Sequence, residues 1–388
     1  MTIELRSIEG KKGLDKKCLR DFLDVVDGIY RDDEHFVRTL DMDIRERLDK
    51  KKNPFFDHGE ATAWVAYREG KPVGRISASI DRAHLERHDD DTGFFGFLDT
   101  IDDPSVSQAL LDQATAWLHE RGMKKVRGPM SLSINEECGL LVDGFDRPPM
   151  IMMAHHRSYQ GALVEAAGFE KIKDLFAWRY EVGHVPPRAQ RAYDAIEAMP
   201  EVTTRGIDMS NIEHDVRLIM EVFNDAWSEN WGYVPATERE VQKMAKDLKL
   251  IVMPELSKLT FIDGEIAAVA LGLPNLNELV HDANGKLFPT GALKLLWRLK
   301  VRGPRSARLV ILGICKKWRS TRRYAGLSAA LYVAMNNSAH LLGIRDSELS
   351  WTLEDNGKIN VGIKMMGGKV YKTYRLYEKP IDLPRPHR

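Results

Sequence analysis

Residues 315–328, CKKWRSTRRYAGLS, carry the residue types and spacing best suited to chemistry. Arg323 is followed three residues on by Gly326 and then by Ser328. Five cationic side chains, Lys316, Lys317, Arg319, Arg322 and Arg323, precede the glycine. The run before the loop, 307–314 (ARLVILGI), is rich in Val, Ile and Leu and reads as a buried strand. The run after it, 327–342, reads as an Ala/Leu helix stopped by Gly343. A helix N-terminus exposes unpaired N–H groups and a partial positive charge. A glycine there lets a phosphate come close to the backbone. The chemistry implied is retention of a pyrophosphate between charged walls. No Gly-Lys-Ser/Thr follows, so the loop is not a Walker A loop, and the three-glycine dinucleotide fingerprint is absent.

Charge points the same way. The chain has 388 residues, with 57 basic and 57 acidic side chains, so its formal charge is zero. A general nucleic-acid binder usually shows a basic excess. At 43% hydrophobic the chain is no candidate for disorder, and its length makes two domains the prior. The zero is a cancellation. Residues 283–345 contain no Asp or Glu and 13 basic residues, and the remainder carries the opposite excess. Such asymmetry suggests a localised anionic partner. The alternative is a basic face paired with acids from elsewhere in the chain. No apolar run of membrane-spanning length and no secretory signal is visible. Cys18, Cys138 and Cys315 match no zinc spacing and read as reduced thiols, so a cytoplasmic location is expected.

The elements that must position the loop occur twice. Residues 61–67 and 73–80 form one hairpin pattern, 258–262 and 266–273 another, each around a Gly-containing turn. Gly168 and Gly367 each open a similar aromatic run near the end of a half. Helix and strand patterns alternate in both halves: a strand at 93–99, a helix at 105–121 and a strand at 123–127 in the first, and the strand, loop and helix above plus a strand at 348–352 in the second. We therefore expect an α/β fold of two tandem lobes, 1–183 and 190–388, with mixed sheets flanked by helices. A Pro-containing linker at 183–190 joins them. An insertion at 274–306 holds the apolar and basic run 293–302 (LKLLWRLKVR).

The strand–loop–helix resembles the acyl-CoA-binding motif of the GNAT acyltransferase superfamily, with Ser328 where Gly or Ala is usual. Four further stretches resemble the tandem-GNAT family that includes the bacterial ceramide synthases: 128–149 (GPMSLSINEECGLLVDGFDRPP), 224–235 (NDAWSENWGYVP), 273–277 (LPNLN) and 351–356 (WTLEDN). The resemblance covers nearly the whole chain. It implies that Leu312, Gly313 and Ile314 bind a pantetheine by backbone pairing. It also implies that Arg322, Arg323, Tyr324, Ala325, Gly326, Leu327, Ser328 and Ala329 hold the pyrophosphate. Asn356, eleven residues before Gly367, fits the superfamily's downstream spacing. The superfamily often places a Tyr general acid where this chain has Ile363, so that role is not inherited. The first half has Asp102 and Asp103 where the loop would be, and these would repel a pyrophosphate.

The implied activity is transfer of a long acyl chain from a CoA or acyl-carrier thioester to a sphingoid-type amine. Rival functions are the same chemistry on an amino acid or peptidyl amine, or acyl-CoA or lipid binding without turnover. Amine acylation needs a positioned thioester and a base for the ammonium proton. Glu354, just past the last strand, is a candidate base, against a solvated loop carboxylate; Glu137, with Glu136 beside it, is a second candidate catalytic group that would bind the cationic amine, against turn geometry near Gly139. Asn135, Asn224, Trp227, Trp231 and Asn275 are candidates for the acceptor pocket, against plain core or turn roles. Cys315 reads as a structural thiol. His155 and His156 are adjacent, which rarely suits one ion, so no metal is expected. The basic insertion has three readings: an anionic membrane surface, which would place the protein peripherally at the inner membrane, an acidic acyl carrier protein, or a helix packed on the second lobe. No nucleic-acid partner is expected.

Overall fold

Alternation of apolar residues around Gly turns produces two antiparallel hairpins, Gly59–Arg68 with Lys71–Asp81 and Ser257–Ile262 with Glu265–Pro274. The computed structural model describes residues 2–10, 13–287 and 291–382. These divide into two compact units, one built from 2–175, 283–287 and 372–382, the other from 176–282 and 291–371. The partition differs from simple halves because the strand Lys369–Pro380 returns to the first unit, where Pro380 pairs with Lys125. Residues 183–190 are a linker only as far as Pro186; Pro187 opens the helix Pro187–Glu197, in the first turn where a missing N–H costs nothing.

Both units are mixed α/β and repeat one order. In the first, strand Thr92–Thr100 pairs antiparallel with the hairpin and parallel with Lys125–Gly128, through the helix Pro104–Glu120. In the second, Ser306–Ile314 pairs antiparallel with Glu265–Pro274 and parallel with Asp346–Leu353, through the helix Leu327–Leu341. A parallel pair needs such a crossover. The second helix buries Leu327, Ala330, Leu331 and Val333 against the sheet and ends before Gly343, whose φ of 76° suits a left-handed stop. The first unit's core is centred on Phe95, Leu110, Leu118 and Tyr377, the second's on Trp178, Leu256, Leu331 and Val333. The insertion contains the short helix Asn277–Val280, then Gly291–Trp297 running into the π-turn Arg298–Arg302. Within it, residues 288–290 and the side chain of Lys300 lie outside the described residues.

Candidate active site

The parallel register in the second unit runs from Ser306↔Asp346 to Leu309↔Leu349, whereas the strands continue to Ile314 and Leu353. Beyond Leu309 the two strands part. Val310 is the extra residue of a bulge, because Leu271 faces Ile311 while Gly272 faces Leu309. Past the bulge, Leu312, Gly313 and Ile314 pair on one side with Ala270, Val269 and Ala268. Their other side faces the wedge, where backbone N–H and C=O groups can pair with the amides of an extended ligand. Gly313 is required by packing: a Cβ there would lie 2.5 Å from the Trp227 ring. Trp227 in turn stacks on Phe223, centroids 4.9 Å apart.

At the end of this strand the chain enters the cationic loop. Gly326 is the N-cap of the helix Leu327–Leu341, and no side chain caps the first turn. Those N–H groups keep their capacity for an anion. The glycine itself has a different reason from the one expected. Its φ is −82°, and an added Cβ would meet the Ala192 Cβ at 3.3 Å, so the missing side chain admits the helix Pro187–Glu197. Tyr324 is buried edge-on against Trp318, its hydroxyl 3.3 Å from Glu201. Ala325 is exposed, Leu327 is core, and Ser328 and Ala329 are half-buried. Much of the basic block is paired. Lys316 reaches Glu229 at 2.7 Å, Lys317 reaches Glu265 and Arg323 reaches Glu201. Arg319 is exposed and acts on Glu229 through space without an ion-pair contact, whereas Arg322 is exposed with no acidic partner among the described residues.

The remaining candidates separate by unit. Glu354 is half-buried in the turn after Asp346–Leu353, and Asn356 caps the helix Gly357–Met365 through the Ile359 N–H. Asn224 accepts from the Tyr233 hydroxyl at 2.6 Å, and Trp231 is half-buried. All belong to the second unit, as does the loop. Asn275 is tied at the far end of the strand, its N–H and Nδ2 donating to Ser306 O and Oγ at 3.0 Å. Asn135, Glu136 and Glu137 belong to the first unit. There the Asn135 N–H donates to Ser133, and Arg47 binds Glu136 at 2.8 Å and Glu137 at 3.4 Å. Burial raises the Glu136 pKa against the lowering effect of Arg47.

Sequence reading missed a polar group at the last paired residues of the wedge. Glu348 is fully buried and accepts from Ser350 and Tyr371, and Arg308 donates to Ser350 Oγ at 2.8 Å with its Nε 3.6 Å from Glu348. Alternation offered the only signal, since Glu348 and Ser350 interleave with Leu349. Leu309 and Leu349 also line a cavity of about 40 Å³, with Tyr332, Met335 and Met366.

The first unit fills its corresponding wedge with its own chain. Register there spans Thr92↔Lys125 to Phe94↔Arg127. Next, the Met130 N–H donates to Phe95 O at 2.7 Å, and a Cβ on Gly96 would lie 2.1 Å from Met130 O. Asp103 caps the helix Pro104–Glu120 by accepting from the Ser105 N–H at 2.8 Å and binds Arg68 at 2.7 Å. Its pKa is lowered to about 2, chiefly by Ser105 and then Arg68. A carboxylate thus occupies the anion position of that helix.

Other reactive groups have local roles. His155 contacts Asp33 at 3.0 Å, and His156 Nδ1 accepts from the Leu141 N–H at 3.0 Å. Cys315 lies 3.8 Å from Ile266 O, its pKa pushed up to about 11 by burial. Among the described residues, no group of three or more His, Cys, Asp or Glu side chains could hold a metal ion. No helix there is long and apolar enough to cross a membrane.

No protein-family model matches the chain. A bacterial ceramide synthase of Caulobacter vibrioides is 43% identical over 352 residues, covering 90% of this chain and 91% of the relative. Protein YghO of Escherichia coli is 40% identical over 370 residues, covering 95% and 94%. Among solved structures, a tandem GNAT protein from the clavulanic acid biosynthesis pathway superposes with a TM-score of 0.60 at 10% identity, covering 99% of this chain and all of the other. A GCN5-related N-acetyltransferase from Sphaerobacter thermophilus gives 0.53 at 14% identity, covering 99% and 96%. Both structures share the fold.

Proposed function

Since this chain belongs to the tandem-GNAT acyltransferase family that includes the bacterial ceramide synthases, we propose that it joins a long acyl chain to the amine of a sphingoid-type base. The donor is a CoA or acyl-carrier thioester. The observation that carries the proposal is the open wedge beside an uncapped helix in the second unit. Residues 312–314 align the donor by backbone pairing, and the first-turn N–H groups with Arg322 hold its phosphates. The thioester carbonyl then lies toward the last register pair, Leu309↔Leu349. The amine forms a C–N bond as the C–S bond breaks; its proton passes to Glu354, directly or through water, and the thiolate leaves. Asn224, Trp227 and Trp231 border the acceptor side, and Asn356 fixes the turn that carries Glu354. Arg308, Glu348 and Tyr371 hold the wedge apex in place. The two repeats, 1–183 and 190–388, meet at residues 183–190.

The test is mass spectrometry of the purified chain with long-chain acyl-CoA, or the same acyl group on a carrier protein, and a panel of amines. Equimolar amide and free thiol with sphingoid amines is expected. Turnover restricted to amino acid or peptidyl amines would contradict the acceptor, and no turnover with any amine would contradict the activity.

A further inference from the structure

The helix Gly291–Trp297 and the π-turn Arg298–Arg302 turn their apolar side chains outward. Leu293 is 72% exposed, Leu296 49%, Trp297 58% and Val301 67%. Ala292, Leu295 and Leu299 are the half-buried ones, so the segment already has an apolar face for its own unit. A second contiguous apolar face left in water marks an interaction surface. Its surroundings are cationic. Lys294 and Arg298 share Asp282, whose carboxyl is held well below the usual range by Arg298 and then Lys294. Arg302 and Arg305 are exposed, and neither guanidinium forms an ion pair among the described residues, although Glu278 accepts from the Arg305 backbone N–H.

We propose that this face docks the enzyme on an anionic lipid bilayer, with the apolar tips among acyl chains, Trp297 at the headgroup boundary and Arg302 and Arg305 on lipid phosphates. The inference goes beyond the reaction: it needs no assignment of the amine. The outermost side chains are apolar, which suits a bilayer better than the water-covered surface of an acidic carrier protein. A second copy fits poorly, because no Asp or Glu occurs in 283–345 and self-association would bring like charges together.

Flotation with vesicles of phosphatidylcholine and about one-third phosphatidylglycerol tests it without turnover. The intact chain is expected to float with these vesicles and at least ~10-fold less with phosphatidylcholine alone. Leu293→Glu with Trp297→Glu should lower partitioning by at least ~10-fold, at unchanged melting temperature. Arg302→Glu with Arg305→Glu should weaken anionic binding by roughly 10-fold and leave neutral binding unaltered. A wild-type chain that does not float, or an apolar double variant that floats like wild type, overturns the proposal. So does an apolar variant that keeps vesicle binding but loses self-association or carrier-protein binding, which would assign the face to a second copy or the carrier.

Discussion

Arg322 and Arg323 are neighbours with different commitments. Arg323 is engaged by Glu201, whereas Arg322 is exposed and has no acid beside it among the described residues. A charge-assisted hydrogen bond contributes about 1.5–3 kcal/mol, so Arg322→Ala should raise KM for acyl-CoA by ~10-fold or more. Turnover number should stay within about twofold, and Arg323→Ala should do less. Initial-rate kinetics decide it, and equal effects would contradict the distinction. Glu354→Gln should cut turnover ~100-fold or more at unchanged donor KM if that carboxylate takes the proton; near-wild-type turnover would contradict it. Away from the site, burial lowers His156 to about 4. The unfolded chain binds this proton near pH 6.5, so the stability from the neutral ring is full above that and lost as pH falls toward 4. His156→Asn keeps an acceptor for Leu141 N–H. Denaturant unfolding should show the wild type losing roughly 3 kcal/mol more than this variant between pH 7 and 4. The loop's residue types were legible in the sequence, but the commitments of Lys316, Lys317 and Arg323 were not, because their acidic partners come from distant segments.

Short-range patterns located the elements well. Both hairpins, the helix expected at 105–121 and found at Pro104–Glu120, and the strand–loop–helix follow from periodicity and Gly stops. The purpose of Gly326 was not legible, since the helix that fills its missing Cβ lies over 100 residues earlier. The two roles can be told apart. Gly326→Ala places a methyl 3.3 Å from Ala192 and should cost about 1–3 kcal/mol by overpacking, read as a lower melting temperature, with little change in donor KM. Ser328→Glu adds an acid in the first turn, which favours the helix dipole but repels phosphate. It should raise donor KM at least ~100-fold with no loss of melting temperature. A large KM effect from Gly326→Ala with unchanged stability would restore the phosphate reason for the glycine. The open register beyond Leu309 was equally hidden, because it depends on a long-range strand pair and the bulge at Val310.

Across the molecule, one supersecondary order is used twice with opposite outcomes. The first unit plugs its wedge with Met130 and caps its helix with Asp103; the second leaves its register open beyond Leu309 and its helix without a side-chain cap. The sequence showed half of this in Asp102 and Asp103, though their expected effect was repulsion rather than a helix cap. The plug at Met130 lies inside 128–149, one of the stretches that resemble the family, and nothing in its residue types marks it as a plug. The net charge of zero likewise hides a basic block that is partly spent on internal ion pairs and partly presented around the loop and the exposed helix. Calorimetric titration of the intact chain with CoA tests the central claim most directly. The account predicts one site per chain, lost in Ser328→Glu and retained in Asp103→Asn. Two sites, or undiminished affinity in a folded Ser328→Glu chain, would contradict it.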